Sequence, residues 1–303
     1  MTDSTQKWDS ALVEKAVSQV AAKRPAYASI LDFYGPVFAA QVNSVSETSP
    51  ETILLDASRI ELAATEGFSL IEPAAFGIDI RAAEKLLDRI CRAAVRSGEK
   101  LSAAGEALIR AMNKRDGLAD LLTDVLHDQD RIRETARNEG LSPDMLSLLL
   151  YLAIKPSVET GSLKLTGHLT EDHDYRTYCP VCGSGPIVGE LDVDGKRWFH
   201  CGFCWCRWPV LRMGCPFCNN RDASSLEYFY ADDEPEYRVD SCGRCGRYLK
   251  VIDVRKLDRL FYPPLEQVVT LHLDMLAAKK GFVHGGASKP SDGDMTSTPA
   301  VDS

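Results

Sequence analysis

Paired cysteines are the residues of this sequence whose type and spacing point most directly to chemistry. Four Cys-x-x-Cys pairs follow one another in the second half of the chain: Cys179, Cys182, Cys201, Cys204, Cys215, Cys218, Cys242 and Cys245. A Cys-x-x-Cys turn places two sulfur atoms on one side of a tight loop, so two facing turns supply four thiolates around one ion. Four pairs therefore predict two metal ions.

The order and repetition of the pairs predict which turns share an ion. Eighteen residues separate the first two turns and twenty-three separate the last two, whereas only ten lie between Cys204 and Cys215. The run 197–211 also aligns with 238–252, with both cysteines in register, which indicates a duplicated unit. We assign the first four cysteines (Cys179, Cys182, Cys201 and Cys204) to site one, and the last four (Cys215, Cys218, Cys242 and Cys245) to site two. Interleaved pairing stays open as the alternative.

The residue after the second cysteine of each turn predicts how easily that turn forms. This position favours a positive φ, which glycine and asparagine tolerate best. Gly183, Asn219 and Gly246 meet the requirement, but Trp205 does not, so we expect the second turn to be distorted. Cys206 is a further thiol beside that turn, and we expect it to be buried and unreactive.

Composition and charge restrict the class of protein. All ten cysteines except Cys91 lie between residues 179 and 245, and this paired clustering favours metal ligation over disulfide bonds. The formal net charge is −9 and the isoelectric point is about 5.3. Between residues 179 and 262 acidic residues equal basic ones in number, which disfavours a nucleic-acid binder.

The sequence carries no secretion signal at its start, and its longest apolar run, 145–154, is too short to cross a bilayer. We therefore expect a cytoplasmic protein that does not insert into the membrane.

The elements that must position the cysteines change type along the chain. Apolar residues at helical spacing predict helices over 9–23, 27–33, 37–45, 58–65, 80–97, 100–113, 118–127, 131–137 and 145–155. We predict breaks at Gly35-Pro36 and at Pro156, a surface loop within 53–76, and a linker over 160–176.

Beyond the linker, short runs rich in β-branched and aromatic residues predict hairpin strands over 187–193, 197–200, 225–230, 237–240 and 248–254. Pro263-Pro264 then opens a last helix through Lys280. The composition after residue 285 predicts a disordered tail.

At the paired cysteines the sequence resembles a known family, the formate dehydrogenase accessory protein FdhE. The specific part of the resemblance is Cys179-Pro-Val-Cys182-Gly, Trp198-Phe-His-Cys201-Gly-Phe-Cys204, Trp208, Cys215-Pro-Phe-Cys218 and Cys242-Gly-Arg-Cys245-Gly-Arg-Tyr248-Leu-Lys250. The similarity extends from about residue 20 to about residue 280.

The resemblance implies a multidomain protein of α and β type. An N-terminal all-helical bundle is followed by two tandem rubredoxin-like modules, which are similar to zinc ribbons, and by a C-terminal helix. The expected ranges are 1–165, 166–212, 213–262 and 263–284, with a disordered tail over 285–303.

The resemblance also implies a function. We expect one iron ion in each four-cysteine site, with zinc as the open alternative. We expect a cytoplasmic assembly factor, not an enzyme, needed for the maturation or activity of a respiratory, molybdenum-containing formate dehydrogenase. The expected partner is the catalytic subunit of that enzyme; nucleic acid is not expected, and a homodimer stays open.

Two other functions stay open from the residues themselves. The cysteine pairs also fit a zinc-ribbon protein that binds nucleic acid, although the charge balance disfavours it. A thiol-based enzyme for electron or sulfur transfer would use Cys206 or a labile turn. The sequence contains no phosphate-cradling glycine loop, nucleophile elbow or H-E-x-x-H motif. We expect His200 to pack on its turn or to hydrogen-bond a sulfur, and His168 and His173 to be solvated.

Overall fold

Helices build the part of the protein that precedes the cysteines. The computed structural model describes residues 8–114, 117–169, 176–231 and 233–285. Its first two ranges hold eight α-helices: α1 (Ser10–Lys23), α2 (Ala28–Val45), α3 (Ala57–Thr65), α4 (Ile80–Ala94), α5 (Glu99–Lys114), α6 (Leu118–His127), α7 (Gln129–Asn138) and α8 (Pro143–Thr166). In α4 the Asp79 carboxylate caps the helix by accepting from the Ala82 N–H at 3.0 Å. None of the helices in the described ranges combines the length and the apolar character needed to cross a bilayer.

Helix α2 is continuous where the sequence predicted a break. It passes through Gly35 and Pro36 without interruption. A Cβ atom at Gly35 would come within 3.0 Å of Val17 Cγ1, so the glycine lets α1 and α2 pack closely. The predicted break is therefore wrong, because buried packing on both sides of the proline keeps the helix intact.

Helix α8 is the central helix, and it runs past the proline that was predicted to end it. Pro156 lacks the N–H that would normally bond to the carbonyl of Leu152. The side chain of Gln41 replaces that donor, with Nε2 2.8 Å from the Leu152 oxygen. The helix therefore continues to Thr166, and the predicted linker is helical over 160–166. Residues 170–175 of that linker lie outside the described residues.

The segment after residue 176 forms one sheet. Its strands are β1 (Pro186–Leu191), β2 (Arg197–Cys201), β3 (Arg207–Pro209), β4 (Leu226–Tyr230), β5 (Tyr237–Cys242), β6 (Arg247–Asp253) and β7 (Val283–His284). The five predicted strands are confirmed, whereas β3 and β7 are too short to give a sequence signal. The strand order is β3-β2-β1-β6-β5-β4, and β7 pairs with β6.

The duplicated unit seen in the sequence corresponds to two antiparallel ribbons, β1–β2–β3 and β4–β5–β6. Strand β1 pairs in parallel with β6, from Val188 opposite Lys250 to Leu191 opposite Asp253. The buried Arg197 guanidinium of the first ribbon also lies 2.8 Å from an Asp240 carboxylate oxygen of the second. The two ribbons therefore share one sheet.

The C-terminal segment connects the second ribbon to the helices. The predicted C-terminal helix is present as α9 (Pro263–Val269) and α10 (Leu271–Lys279), which meet at Thr270. Leu265 and Val269 of α9 join the apolar core of α1 and α2. Leu273 and Ala277 of α10 instead pack in the core of the second ribbon. The predicted tail beyond residue 285 lies outside the described residues.

Candidate metal centres

The structure brings the eight predicted cysteines together in two groups of four. Within each group the sulfur atoms all lie within 4.8 Å of one another. In site one the Sγ–Sγ distances are 3.6 Å for Cys179–Cys204 and 3.5 Å for Cys182–Cys201. In site two they are 3.6 Å for Cys215–Cys245 and 3.7 Å for Cys218–Cys242. All eight are free thiols.

These distances fit a tetrahedral ion. Metal–sulfur bonds of about 2.3 Å in a tetrahedron hold the sulfurs about 3.8 Å apart, within a few tenths of an ångström of the distances in both groups. The groups are those predicted from the sequence repeat, not the interleaved alternative. The donor set and its spacing therefore suit an ion that prefers thiolate ligands in each site.

The backbone of all four turns adopts the conformation that such a site needs. The residue after the second cysteine has a positive φ in every case: 75° at Gly183, 61° at Trp205, 53° at Asn219 and 69° at Gly246. The prediction that the Trp205 turn is distorted is therefore wrong. A bulky residue rarely takes this conformation, so the surroundings of Trp205 must hold it there.

Local hydrogen bonds close the turns in a repeated pattern. The N–H of Cys179 donates to the Ser184 carbonyl at 2.8 Å, and that of Cys215 donates to the Asn220 carbonyl at 2.9 Å. The N–H of Cys201 donates in the same way to the carbonyl of Cys206 at 2.9 Å. The backbone of Cys206 thus completes the second turn, and its side chain is buried, as predicted.

Backbone N–H groups also point at the sulfur atoms. The N–H groups of Phe203 and Cys204 both lie 3.3 Å from the sulfur of Cys201. In site two the N–H of Phe217 lies 3.4 Å from the sulfur of Cys215. These bonds favour the thiolate form, which is the form that ligates metal.

The two sites differ in their exposure. Every cysteine of site one is at most 2% exposed. In site two Cys215 and Cys242 are buried, whereas Cys218 and Cys245 are partly exposed. Site one therefore lies in the interior of the molecule, and site two lies near its surface.

The helical part of the chain supports the first turn of site one. The N–H groups of Leu70 and Ile71 donate to the carbonyls of Pro180 and Val181 at 3.0 and 2.9 Å. Leu70 and Ile71 are themselves buried. The prediction of a surface loop is therefore wrong at these positions, because these buried apolar residues hold the first Cys-x-x-Cys turn of site one.

Helix α8 supports the second turn of site one. The Ser162 hydroxyl lies 3.4 Å from the sulfur of Cys204. The Tyr151 hydroxyl donates to the carbonyl of Phe203. Ser162 follows Pro156 in the helix, so only a helix that continues through the proline can deliver this hydroxyl to the sulfur.

Without a metal ion the clustered thiols differ in acidity. Burial raises the pKa of Cys179, whereas hydrogen bonds from the thiols of Cys179, Cys201 and Cys204 lower the pKa of Cys182. In site two burial raises the pKa of Cys242, but the backbone N–H of Cys245 and the Asn220 side chain outweigh it and leave the pKa at about 7. Metal binding must displace the remaining thiol protons, so the affinity of each site should rise with pH.

An ion-pair network around the buried residues Glu190 and His200 lies next to site one, and no sequence pattern predicted it. His200 Nε2 lies 2.8 Å from a Glu190 carboxylate oxygen. Arg207 binds the same carboxylate through two nitrogens, at 2.9 and 2.8 Å. His200 thus pairs with a carboxylate rather than with a sulfur. The three residues come from neighbouring strands, and only the register of β1, β2 and β3 brings them together.

The predicted exposure of His168 is confirmed, whereas His173 lies outside the described residues.

Comparison with known proteins finds relatives that are named FdhE. Over 148 residues the chain is 34% identical to a protein of Aquifex aeolicus named Protein FdhE homolog, covering 48% of this chain and 51% of the relative. Over 154 residues it is 34% identical to a protein of the same name from Haemophilus ducreyi, covering 50% of this chain and 49% of the relative. The crystal structure of the FdhE protein from Pseudomonas aeruginosa has the same fold, with a TM-score of 0.66 at 21% identity, over 94% of this chain and 96% of that one. The resemblance to the FdhE family is confirmed.

The limits of this similarity are also clear. The chain spans about half the length of the FdhE homologues that it matches in sequence. No family model matches the chain. The fold implied by FdhE is confirmed: helices come first, then a sheet region with two four-cysteine clusters, then a C-terminal helical segment.

Proposed function

We propose that this chain is an FdhE-type accessory protein that binds the catalytic subunit of a molybdenum-containing formate dehydrogenase in the cytoplasm and supports its maturation. The observation that carries the proposal is the pair of closed four-cysteine cages on an FdhE fold. The names of the relatives support an accessory protein rather than an enzyme.

The geometry of the cages favours a role other than metal-assisted hydrolysis. Catalytic zinc sites keep one position open for water, whereas structural sites fill all four positions with protein ligands. Each cage here offers four sulfur atoms to one ion. An ion that is held in this way has no vacant position at which a substrate or water would bind.

We propose that both cages hold iron. The ligands would be Cys179, Cys182, Cys201 and Cys204 in site one and Cys215, Cys218, Cys242 and Cys245 in site two. Iron in such a cage supplies one-electron redox chemistry, which zinc does not. Enclosure of site one in the core suits a structural role, whereas the partial exposure of site two suits contact with a client.

Capture from native cytoplasm tests the proposed partner. The tagged chain should retain the formate dehydrogenase catalytic subunit, identified by mass spectrometry. Cys218→Ser, which removes a ligand of site two, should reduce the captured amount, because the surface around that site loses its metal-dependent structure. Cys91→Ser alters a buried helix thiol outside both cages and serves as the matched control.

Activity measurements provide the second arm. A strain that lacks the gene should lose respiratory formate dehydrogenase activity, and the wild-type gene should restore it. Full activity in the deletion strain, together with no capture of the subunit, would refute the proposal. The absorption spectrum of protein purified from its own cytoplasm distinguishes the metals, because ferric iron with four thiolates is coloured and zinc is not.

A further inference from the structure

A cavity of about 310 Å³ lies between the helices and the second turn of site one. Its walls come from α2, α8, the segment that contains Gly202 and Trp205, and the C-terminal helices α9 and α10. Binding sites for small groups typically enclose about 300–1,000 Å³, and they combine apolar walls with a few polar groups. The size of this cavity places it at the lower end of that range.

The walls are mostly apolar, but they include a buried cation. Ile30, Phe38, Leu148 and Val268 supply apolar surface, and Lys155 supplies the charge. Lys155 is only 3% exposed. Its ammonium lies 3.5 Å from the Glu159 carboxylate, at the outer limit of hydrogen bonding, and 5.1 Å from the centre of the Trp205 ring. An ammonium group has three N–H donors, so this one retains capacity for an anionic oxygen.

Two further polar atoms on lining residues have no partner. Trp205 Nε1, a donor, and Gln41 Oε1, an acceptor, are both buried and make no hydrogen bond. Buried polar atoms of proteins are nearly always paired, because an unpaired one loses its hydration without compensation. A ligand in the cavity would provide the missing partners.

These polar groups lie close together. Gln41 bonds to the carbonyl of Leu152, which is less than one helical turn before Lys155. The ring of Trp205 lies against Lys155, with its centre 5.1 Å from the ammonium nitrogen. The lining thus presents two donors, one of them charged, next to one acceptor.

The metal turn fixes the position of Trp205. Its φ of 61° is the conformation that the second Cys-x-x-Cys turn requires, although a bulky residue rarely takes it. The turn therefore holds the indole beside Lys155, the only lysine that lines the cavity among the described residues.

We propose that this cavity binds the carboxy-terminal residue of a partner polypeptide. The terminal carboxylate accepts from Lys155 Nζ and Trp205 Nε1, and the amide N–H of the same residue donates to Gln41 Oε1. An apolar side chain fills the space between Ile30, Phe38 and Leu148. A volume of about 310 Å³ equals that of roughly ten water molecules, which suits one residue but not a continuous strand. Capture of a terminal carboxylate is a known mode of peptide recognition.

This inference goes beyond the proposed function, because it defines the chemical group that is recognised and does not depend on the identity of the client. Isothermal titration calorimetry of the full, metal-loaded chain tests it. The probe is an N-acetylated tripeptide that ends in phenylalanine with a free carboxylate. We expect saturable binding with one peptide per chain, and at least tenfold weaker binding of the same peptide with a carboxamide end.

Two variants make the test specific. Lys155→Met should weaken binding of the acid peptide at least tenfold, whereas Lys164→Met, at an exposed position on the same helix, should leave it unchanged. Leu148→Trp fills the cavity without changing any charge and should also abolish binding. Circular dichroism and metal content show whether each variant is folded and loaded.

Three results would overturn the inference. The first is equal affinity for the acid and the carboxamide. The second is unchanged binding by folded Lys155→Met and Leu148→Trp variants. The third is binding of phenylacetate as tight as that of the peptide, which would assign the cavity to a small carboxylate. Failure to capture a formate dehydrogenase subunit, together with full activity in the deletion strain, would refute the proposed function, but it would not alter these calorimetric results.

Discussion

Replacing the side-chain amide of Gln41 should destabilise the protein only while residue 156 is proline. The amide nitrogen of Gln41 bonds at 2.8 Å to the Leu152 carbonyl, whose usual helical donor is missing because of Pro156. Gln41→Met keeps the volume of the side chain and removes this donor. In a Pro156→Ala background, the N–H of the new residue can take over the same carbonyl.

The expected energies follow from the burial of the bond. Gln41 is 2% exposed, so loss of its amide removes a buried donor from the Leu152 carbonyl. An unsatisfied buried acceptor costs about 1–3 kcal/mol. Removal of the unpaired Gln41 Oε1 offsets part of that cost. We therefore expect Gln41→Met to lower the free energy of unfolding by about 1–2 kcal/mol in the wild type and by less than about 0.5 kcal/mol with Ala at position 156.

Urea unfolding of the four metal-loaded proteins, followed by far-UV circular dichroism, measures this coupling. The double-mutant cycle should give an interaction energy of about 1 kcal/mol, with Gln41→Met less harmful in the Pro156→Ala background. A Lys164→Ala variant provides a control, because it changes an exposed residue of the same helix that does not contact the Leu152 carbonyl. An interaction energy of zero would refute the account of how α8 continues through its proline.

Three further predictions concern an ion pair, a helix cap and the accessibility of the metals. Glu266→Gln should lower the free energy of unfolding by about 3 kcal/mol, because it leaves the buried guanidinium of Arg259 without its counter-charge. Asp258→Asn, in an exposed pair, should have a much smaller effect. Equal effects in urea unfolding would contradict this. Asp79→Ala should cost about 1 kcal/mol at neutral pH. Hydrogen bonds from the Ser49 and Ala82 N–H groups hold the pKa of Asp79 below its usual value. The stabilisation by Asp79 should therefore be present above about pH 4 and disappear as the pH falls through the lowered pKa. A stability difference between wild type and Asp79→Ala that persists at still lower pH would show that the carboxylate is not the cause. A chelator should remove the ion of site two before that of site one, because two of its cysteines are partly exposed; simultaneous release of both ions, measured by metal analysis over time, would argue against the difference in enclosure.

The sequence predicts the two four-cysteine groups well because their geometry is local. Each Cys-x-x-Cys turn fixes two ligands within four residues, and the duplicated unit then determines which turns face each other. Periodicity likewise identifies α4, whose capping residue Asp79 and apolar face are both visible in the sequence. The agreement is good wherever a few neighbouring residues determine the structure.

The features that were not predicted depend on contacts between distant segments. The local sequence predicts that the helix ends at Pro156. It does not show that Gln41, more than one hundred positions earlier, supplies the missing hydrogen-bond donor. Trp205 looks unsuitable for a metal turn, but packing against Lys155 and the hydrogen bond from the Cys201 N–H to the Cys206 carbonyl stabilise its backbone. Glu190 belongs to its network only because of the register of three strands. Local propensity cannot indicate such partners, since they become neighbours only in the folded state.

The measurement that tests the central claim most directly is the metal content of protein from its own cytoplasm, combined with X-ray absorption spectroscopy at the metal edge. The account predicts two ions per chain, each surrounded by four sulfur atoms at about 2.3 Å. Fewer than one ion per chain, or a first shell that contains nitrogen or oxygen atoms, would contradict it.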